Sequence, residues 1–170
     1  MFEKIPGVCL TPDSGTRNFT FNHTMLRIRD PKGSLDFYTR VLGMTLLRKL
    51  DFAEWKFSLY FLADVPEGQA VPEDNAANAK YTFGRESVLE LTHNWGTESQ
   101  VETPYHNGNT EPRGFGHICI SVPDIAVACT RFQNLGVIFQ KRLGDGGMKN
   151  IAFIKDPDNY WIEVVQPGLL

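Results

Sequence analysis

The chain has 170 residues, of which 42% are hydrophobic and 22% charged, a composition typical of a folded globular protein rather than a disordered or fibrous one. Seventeen basic residues against 20 acidic ones give a net charge of -3 without any run of Lys or Arg, so nucleic acid is not an expected partner. The three cysteines lack CxxC spacing, no segment is apolar enough to cross a membrane, and the first residues lack a signal region, so we expect a cytoplasmic protein with reduced thiols.

The predicted elements begin after a loosely attached arm, residues 1–18. Segment 23–30 is predicted to be a strand that runs into a helix cap, and apolar residues at helical spacing then continue to Gly43, which should end the helix. The alternating polarity of 55–62 predicts another strand, and the β-rich run at 88–92 predicts the last strand of this half.

An insertion and a linker separate these elements from a second series of the same kind. The stretch around 64–80, rich in Pro, Glu, Asn and Ala, is predicted to be the insertion, and 99–113 is predicted to be the linker. The earlier order then returns, with a strand at 117–124, a helix that ends at Gly136, and β-rich runs that include 161–165.

This internal repeat predicts the fold. Residues 19–98 and 114–170 each read βαβββ, with one histidine in the first strand and one glutamate in the last. We therefore expect an α+β protein with two tandem βαβββ modules, whose curled mixed sheets surround a metal-bearing cavity while the helices cover the outer face.

Strand periodicity singles out the histidine and the glutamate of each half. Side chains alternate across a strand, and in all four strands the aliphatic residues occupy the positions opposite to the His or Glu. The four side chains that share the face turned away from the helices are His23, Glu90, His117 and Glu163. Two imidazoles and two carboxylates suit Zn²⁺, Ni²⁺, Co²⁺, Mn²⁺ or Fe²⁺ better than Ca²⁺.

Two further histidines are not expected to be ligands. His93 has the strand parity opposite to that of Glu90, and His106 lies in the predicted linker.

Four segments carry a resemblance to a known family. They are HTMLRIRDPKGSLDFYTRVLGM (23–44), LELTHNWGTE (89–98), YHNGNTEPRGFGHICISVPD (105–124) and FIKDPDNYWIEVVQP (153–167). Through them the chain resembles glyoxalase I, the lactoylglutathione lyase family of the vicinal-oxygen-chelate superfamily.

The resemblance implies a divalent metal held by the four residues that strand parity selects. His23 stands where the eukaryote-like branch has Gln, which leaves Ni²⁺ or Co²⁺ open, whereas the insertion resembles the zinc-dependent branch and favours Zn²⁺. The family also pairs modules across a homodimer, which implies that His23 and Glu90 of one chain meet His117 and Glu163 of its partner.

The activity implied is that of a carbon–sulfur lyase that detoxifies methylglyoxal. Such an enzyme isomerises the hemithioacetal of methylglyoxal and glutathione to S-lactoylglutathione through a metal-bound enediolate, with glutathione as co-substrate. Glu163 is the expected base, and Glu90 would serve the other hemithioacetal enantiomer or act mainly as a ligand.

Substrate contacts are also assigned by the resemblance. The residues implied for glutathione recognition are Arg27, Asn94, Arg113, Lys141, Gly147 and Met148. Those implied for an apolar pocket are Phe52, Trp55, Phe57, Leu59 and Phe61. For Arg113 and Lys141 a plain surface role stays open, and core packing would explain any one of the pocket residues equally well.

Two other functions fit the same repeat. A ring-cleaving iron dioxygenase needs two histidines and one carboxylate, which makes either Glu90 or Glu163 superfluous. A non-catalytic dimer that sequesters a ligand leaves the whole set of four unexplained.

Overall fold

The computed structural model describes residues 5–169, so residues 1–4 of the predicted arm and residue 170 of the predicted second module lie outside it. Within that range the chain forms eight strands and three α-helices, besides two short 3-10 helices and one π-helical segment. In chain order they are β1 (His23–Ile28), α1 (Pro31–Asp36), β2 (Thr45–Phe52), β3 (Phe57–Ala63), α2 (Asn75–Phe83), β4 (Val88–Asn94), β5 (His117–Ser121), α3 (Ile125–Asn134), β6 (Phe139–Lys141), β7 (Ala152–Lys155) and β8 (Trp161–Val165). No helix among the described residues has the length and apolarity needed to span a membrane.

The strands form two four-stranded mixed sheets with the same topology. Their orders are β1-β4-β3-β2 and β5-β8-β7-β6, and in each sheet the first pair is parallel while the others are antiparallel. The predicted α+β class with two βαβββ modules is thereby confirmed. The curling of the sheets around a metal-bearing cavity, and the residue limits assigned to the modules and linker, stay predictions.

The first helix of each module is preceded by a capping aspartate and followed by a glycine, as the sequence predicts. The Asp30 side chain accepts a hydrogen bond from the backbone N–H of Lys32 at α1, and Asp124 caps α3 in the same way. Helix α1 continues as a wider π-helical turn over Phe37–Val41 before Gly43, which has φ +84°.

Helix α2 was not predicted from the sequence. It begins within the predicted insertion, whose composition indicates only a polar segment, and the Asp74 side chain caps its N-terminus. Its position depends on contacts with a distant strand, because Arg48 of β2 donates to the Asn78 side chain (2.9 Å) and Asn78 donates to the Leu47 carbonyl (2.8 Å). Hydrogen bonds of this kind leave no periodic signal in the sequence.

One hydrophobic core joins the helix-facing sides of both sheets. It contains buried aliphatic residues from the inner strands and edge strands of the two modules, including Leu26, Ile28, Leu89, Leu91, Ile154, Ile162 and Val164. Because side chains alternate along a strand, the opposite faces of both sheets point away from this shared core.

The loop between β7 and β8 bonds the second module to the first. The Tyr38 hydroxyl donates to the carboxylate of Asp156 (2.8 Å). The Arg29 backbone N–H and the Ser34 hydroxyl donate to Asp158 (3.0 and 3.3 Å). Both aspartates are almost fully buried, at 4% and 2% exposed. These contacts fix the start of α1 against the second sheet.

Burial of Asp156 predicts a pH-dependent stability. Loss of solvation raises the pKa of this carboxyl to about 7 in the folded protein, far above that of an unfolded aspartate. Its contribution to stability is therefore greatest below about pH 4 and is lost as the pH rises toward 7. Between pH 5 and pH 8 we expect wild type to lose on the order of 2 kcal/mol more unfolding free energy than Asp156→Asn does.

Urea unfolding of both proteins at the two pH values measures this difference. The exposed Asp145 supplies a control, since Asp145→Asn should follow wild type at each pH. Parallel pH profiles for wild type and Asp156→Asn would contradict the assignment.

Candidate metal and active site

The first histidine and glutamate meet on the face of sheet one that points away from the core. Leu26 and Ile28 are buried on the other side of β1, so His23 lies on the open side. On β4, Leu91 is likewise buried behind Glu90. The His23 Nε2 and Glu90 Oε2 atoms are 3.1 Å apart, and the two side chains are 36% and 12% exposed.

The second pair has the same construction. His117 Nε2 lies 3.3 Å from Glu163 Oε2, with side-chain exposures of 41% and 20%. In each module the residue two places after the histidine aligns with the glutamate across the parallel strands, Met25 with Glu90 and Cys119 with Glu163. The sequence repeat therefore produces two His–Glu pairs with the same geometry.

Each imidazole rests against the edge or face of a phenylalanine. The ring of His23 lies 5.8 Å from that of Phe61, and the ring of His117 lies 5.2 Å from that of Phe153, both nearly perpendicular. Phe153 was not predicted from the sequence to support a histidine. The repeat contained the signal, because Phe61 and Phe153 align with Glu90 and Glu163 on neighbouring strands.

The donor atoms suit a divalent cation. The Nδ1 of His23 lies 2.7 Å from the Asn22 side-chain oxygen, and its Nε2 lies 3.1 Å from Glu90; with Nδ1–H donated to Asn22, the lone pair of Nε2 would be available to a metal ion. Two neutral imidazoles and two carboxylates would balance the charge of a dication. Within residues 5–169, however, no three potential ligands lie together, so the chain presents two pairs rather than one group of four.

Cys119 lies beside the second pair and stays a neutral thiol. Cys119 is exposed, yet partial loss of solvation, with a further contribution from the Glu163 carboxylate, raises the pKa of its thiol to about 11. It can therefore offer only a weak S–H donor near Glu163.

The candidate glutathione contacts of the first module lie near His23 and Glu90. Arg27 is exposed on the same side of β1 as His23 and aligns with Thr92 of β4. Asn94, at the end of β4, donates to the hydroxyl of Tyr105 (3.1 Å).

The other candidate contacts lie in loops, except for Lys141, which is the last residue of β6. Arg113 pairs with Glu111 (3.1 Å), but both side chains are more than three-quarters exposed, so this ion pair is weak and readily exchanged. Lys141 donates to the carbonyls of Met148 and Ile151 (2.6 and 2.8 Å) and so braces the loop that contains Gly147. The Met148 side chain itself is 64% exposed.

Three of the candidate pocket residues form an aromatic stack at the β2–β3 turn. Phe52 lies 4.7 Å from Phe57 and 5.8 Å from Trp55, measured between ring centroids. Leu59 continues the same face of β3, whereas Phe61 is only 2% exposed beneath His23. An apolar wall therefore extends from the turn toward Glu90.

The two histidines not expected to be ligands have other partners. His93 is buried and its Nε2 lies 2.7 Å from Glu98, on the face opposite to Glu90. His106 bonds to the Thr110 hydroxyl (2.9 Å) within its own loop.

The comparisons with known proteins agree on one family. Residues 20–164 match the model of the Glyoxalase/Bleomycin resistance protein/Dioxygenase superfamily. A lactoylglutathione lyase of Pseudomonas aeruginosa is 63% identical over 96% of this chain and 92% of its own length. A lactoylglutathione lyase of Pseudomonas putida is 58% identical over 96% and 94%. Among solved structures, the trypanothione-dependent glyoxalase I of Leishmania major has a TM-score of 0.61 and 33% identity, covering 86% of this chain and 85% of that one.

Proposed function

The chain belongs to the Glyoxalase/Bleomycin resistance protein/Dioxygenase superfamily, and we propose that it is a lactoylglutathione lyase whose metal site is built from both His–Glu pairs. The observation that carries this proposal is the occurrence of the pair twice, at 3.1 and 3.3 Å, on equivalent strands. A function that used two histidines and only one carboxylate would leave either Glu90 or Glu163 without a role. The substrate is the hemithioacetal of methylglyoxal and glutathione.

The reaction moves one proton between neighbouring carbons of the hemithioacetal. Glu163 accepts the proton from C1, next to the carbonyl, and returns it to C2, while the hydroxyl proton of C1 passes to the C2 oxygen, so that C1 becomes the thioester carbonyl and C2 the alcohol carbon of lactate. A divalent ion bound by His23, Glu90, His117 and Glu163, with Zn²⁺ our first choice and Ni²⁺ or Co²⁺ as alternatives, would supply the Lewis acid that stabilises negative charge on the substrate oxygens. Glu90 acts mainly as a ligand.

The glutathione moiety carries two carboxylates and needs cations and amide groups. We assign Arg27 and Arg113 to the carboxylates, since the first is exposed beside His23 and the second has only a surface partner to exchange. Asn94 supplies an amide, and the loop of Gly147 and Met148, braced by Lys141, covers the tripeptide. The apolar wall that extends from the aromatic stack to Phe61, which aligns with Glu90, takes the methyl group of the substrate.

We further propose that two chains share each site as a homodimer. The helix-facing sides of both sheets are buried in one core, so both His–Glu faces point away from it, and among the described residues the two pairs do not come together in a single chain. A two-fold dimer can bring the first pair of one chain to the second pair of its partner, and does so twice. Each complete site would then contain four ligands.

Exposed strand edges support this assembly. β1 and β5 are edge strands of their sheets, and every residue of β5 is at least partly exposed. β5 and α3, together with first-module residues such as Leu42 and Leu89, line an open cavity of about 810 Å³. Unpaired backbone groups and half-buried aliphatic side chains are the features of a strand that pairs with another chain.

The proposed location is the cytoplasm. Cys9, Cys119 and Cys129 all belong to the described part of the chain and form no disulfide there, in keeping with a reducing compartment.

Metal exchange tests the proposed function. Removal of bound metal with a chelator should abolish thioester formation from methylglyoxal and glutathione, and Zn²⁺, Ni²⁺ or Co²⁺ should restore it. Far-ultraviolet circular dichroism of the stripped protein controls for unfolding. Failure of every added metal, Fe²⁺ included, to give thioester would contradict a lactoylglutathione lyase. Cleavage of a catechol with Fe²⁺ and oxygen would instead support the dioxygenase.

A further inference from the structure

The two His–Glu pairs differ in the residues that hold them. Alignment of the repeats places Asn22 opposite Gly116, before each histidine, and Thr92 opposite Val165, two places after each glutamate. The first module therefore has a polar side chain where the second has none at both flanking positions.

Asn22 ties the first histidine to the insertion. Its side-chain oxygen lies 2.7 Å from Nδ1 of His23, while its amide nitrogen donates to the carbonyls of Thr82 and Arg85 (3.0 and 2.7 Å). Gly116 has no side chain with which to hold His117 in this way. The orientation of the first imidazole is thus fixed through the end of α2.

Thr92 forms a hydrogen bond with the second carboxylate oxygen of Glu90. Its hydroxyl donates to Oε1 of Glu90 (3.0 Å), while Oε2 of the same carboxylate faces His23 (3.1 Å). Val165 has no hydroxyl to donate to Glu163 at the equivalent position. Glu163 is also the more exposed of the two, at 20% against 12%.

We propose that Asn22 and Thr92 are positioning residues that make the first pair a fixed metal-binding half-site, whereas Glu163, which lacks these restraints, is left free to exchange protons with the substrate. This inference rests on the proposed function. A carboxylate that only binds an ion gains from a fixed orientation, because groups that hydrogen-bond to a ligand raise metal affinity. A carboxylate that also carries a proton has to change its partner during turnover.

Reciprocal variants at the two equivalent positions test the difference. Thr92→Val removes the hydroxyl without changing side-chain volume, and Thr92→Ser keeps it. Val165→Thr offers Glu163 the same donor that Glu90 has. Each dimer is purified, stripped of metal, and titrated with Zn²⁺ in competition with a chromophoric chelator, and kcat and KM are measured on the Zn²⁺-saturated protein.

The expected results separate binding from turnover. Thr92→Val should weaken Zn²⁺ binding roughly 10- to 100-fold, and Thr92→Ser should restore most of that affinity. Val165→Thr should retain Zn²⁺ affinity but lower kcat about 10-fold, with KM little changed, because the carboxylate is held when it should move. Thermal unfolding of each variant shows whether the fold is kept.

Two results would overturn the inference. One is equal Zn²⁺ affinity for Thr92→Val and Thr92→Ser. The other is an unchanged kcat in a folded Val165→Thr. These outcomes are distinct from failure of the proposed function, in which Zn²⁺-saturated wild type would itself form no thioester while the affinity comparison could still be made.

Discussion

A Glu163→Gln variant should lose hemithioacetal turnover by about 10²- to 10⁴-fold, the usual contribution of a positioned general base. Glutamine has the shape of glutamate and keeps an oxygen near His117, but its amide cannot accept the C1 proton. The protein should remain a folded dimer that binds metal, because Glu163 is partly exposed and no ion pair of the core is removed. Steady-state kinetics with methylglyoxal and glutathione, beside metal analysis of the same samples, measures both parts of this expectation.

Two further variants serve as comparisons for Glu163→Gln. Glu90→Gln should affect metal affinity more than turnover of metal-saturated protein, since the Thr92 hydroxyl holds one oxygen of Glu90 while the other faces His23. Glu102→Gln, at an exposed position away from both pairs, should behave as wild type. Near-normal turnover in Glu163→Gln would place the base elsewhere, with Glu90 the next candidate.

Much of the fold could be predicted because the same order of strands and helix occurs twice in the sequence. The alternation of aliphatic residues with His23 or His117 predicts both the strand and the face of each histidine, since only one side of such a strand is suited to a core. Likewise, an aspartate before each helix and a glycine after it mark both helix limits, as found at Asp30 and Asp124.

The unpredicted features depend on contacts between distant segments. Strand β2 carries several charged residues and no clean alternation, and it is held by pairing with β3. The burial of Asp156 and Asp158 could not be foreseen either, because Asp-Pro-Asp-Asn in isolation predicts an exposed turn. In the folded chain that turn lies against α1, where Tyr38 and Ser34 supply donors.

The candidate site, too, has features that the sequence predicts and features that only the fold reveals. Strand parity selects the four metal-binding candidates, but it gives no information on the side chains around them. Thus Lys141, assigned to glutathione from the resemblance, has its ammonium group engaged by two backbone carbonyls. The difference between Thr92 and Val165 also acquires meaning only when their distance to the glutamates is known.

The shared site predicts recovery of activity from two inactive chains. His23→Ala damages the first half-site and His117→Ala the second, so each variant homodimer should fall to background. In a mixed dimer one site receives both substitutions, while the other combines the intact first pair of one chain with the intact second pair of its partner. Such a dimer should therefore regain about half of the wild-type activity per dimer.

The most direct measurement is therefore the rate of thioester formation by the mixed dimer of His23→Ala and His117→Ala. The two chains are co-expressed with different affinity tags, purified through both tags, and compared with a doubly tagged wild-type dimer at saturating Zn²⁺. Recovery to about half of the wild-type rate is expected from a lactoylglutathione lyase whose four ligands come from two chains. A mixed dimer as inactive as either parent would contradict the shared site.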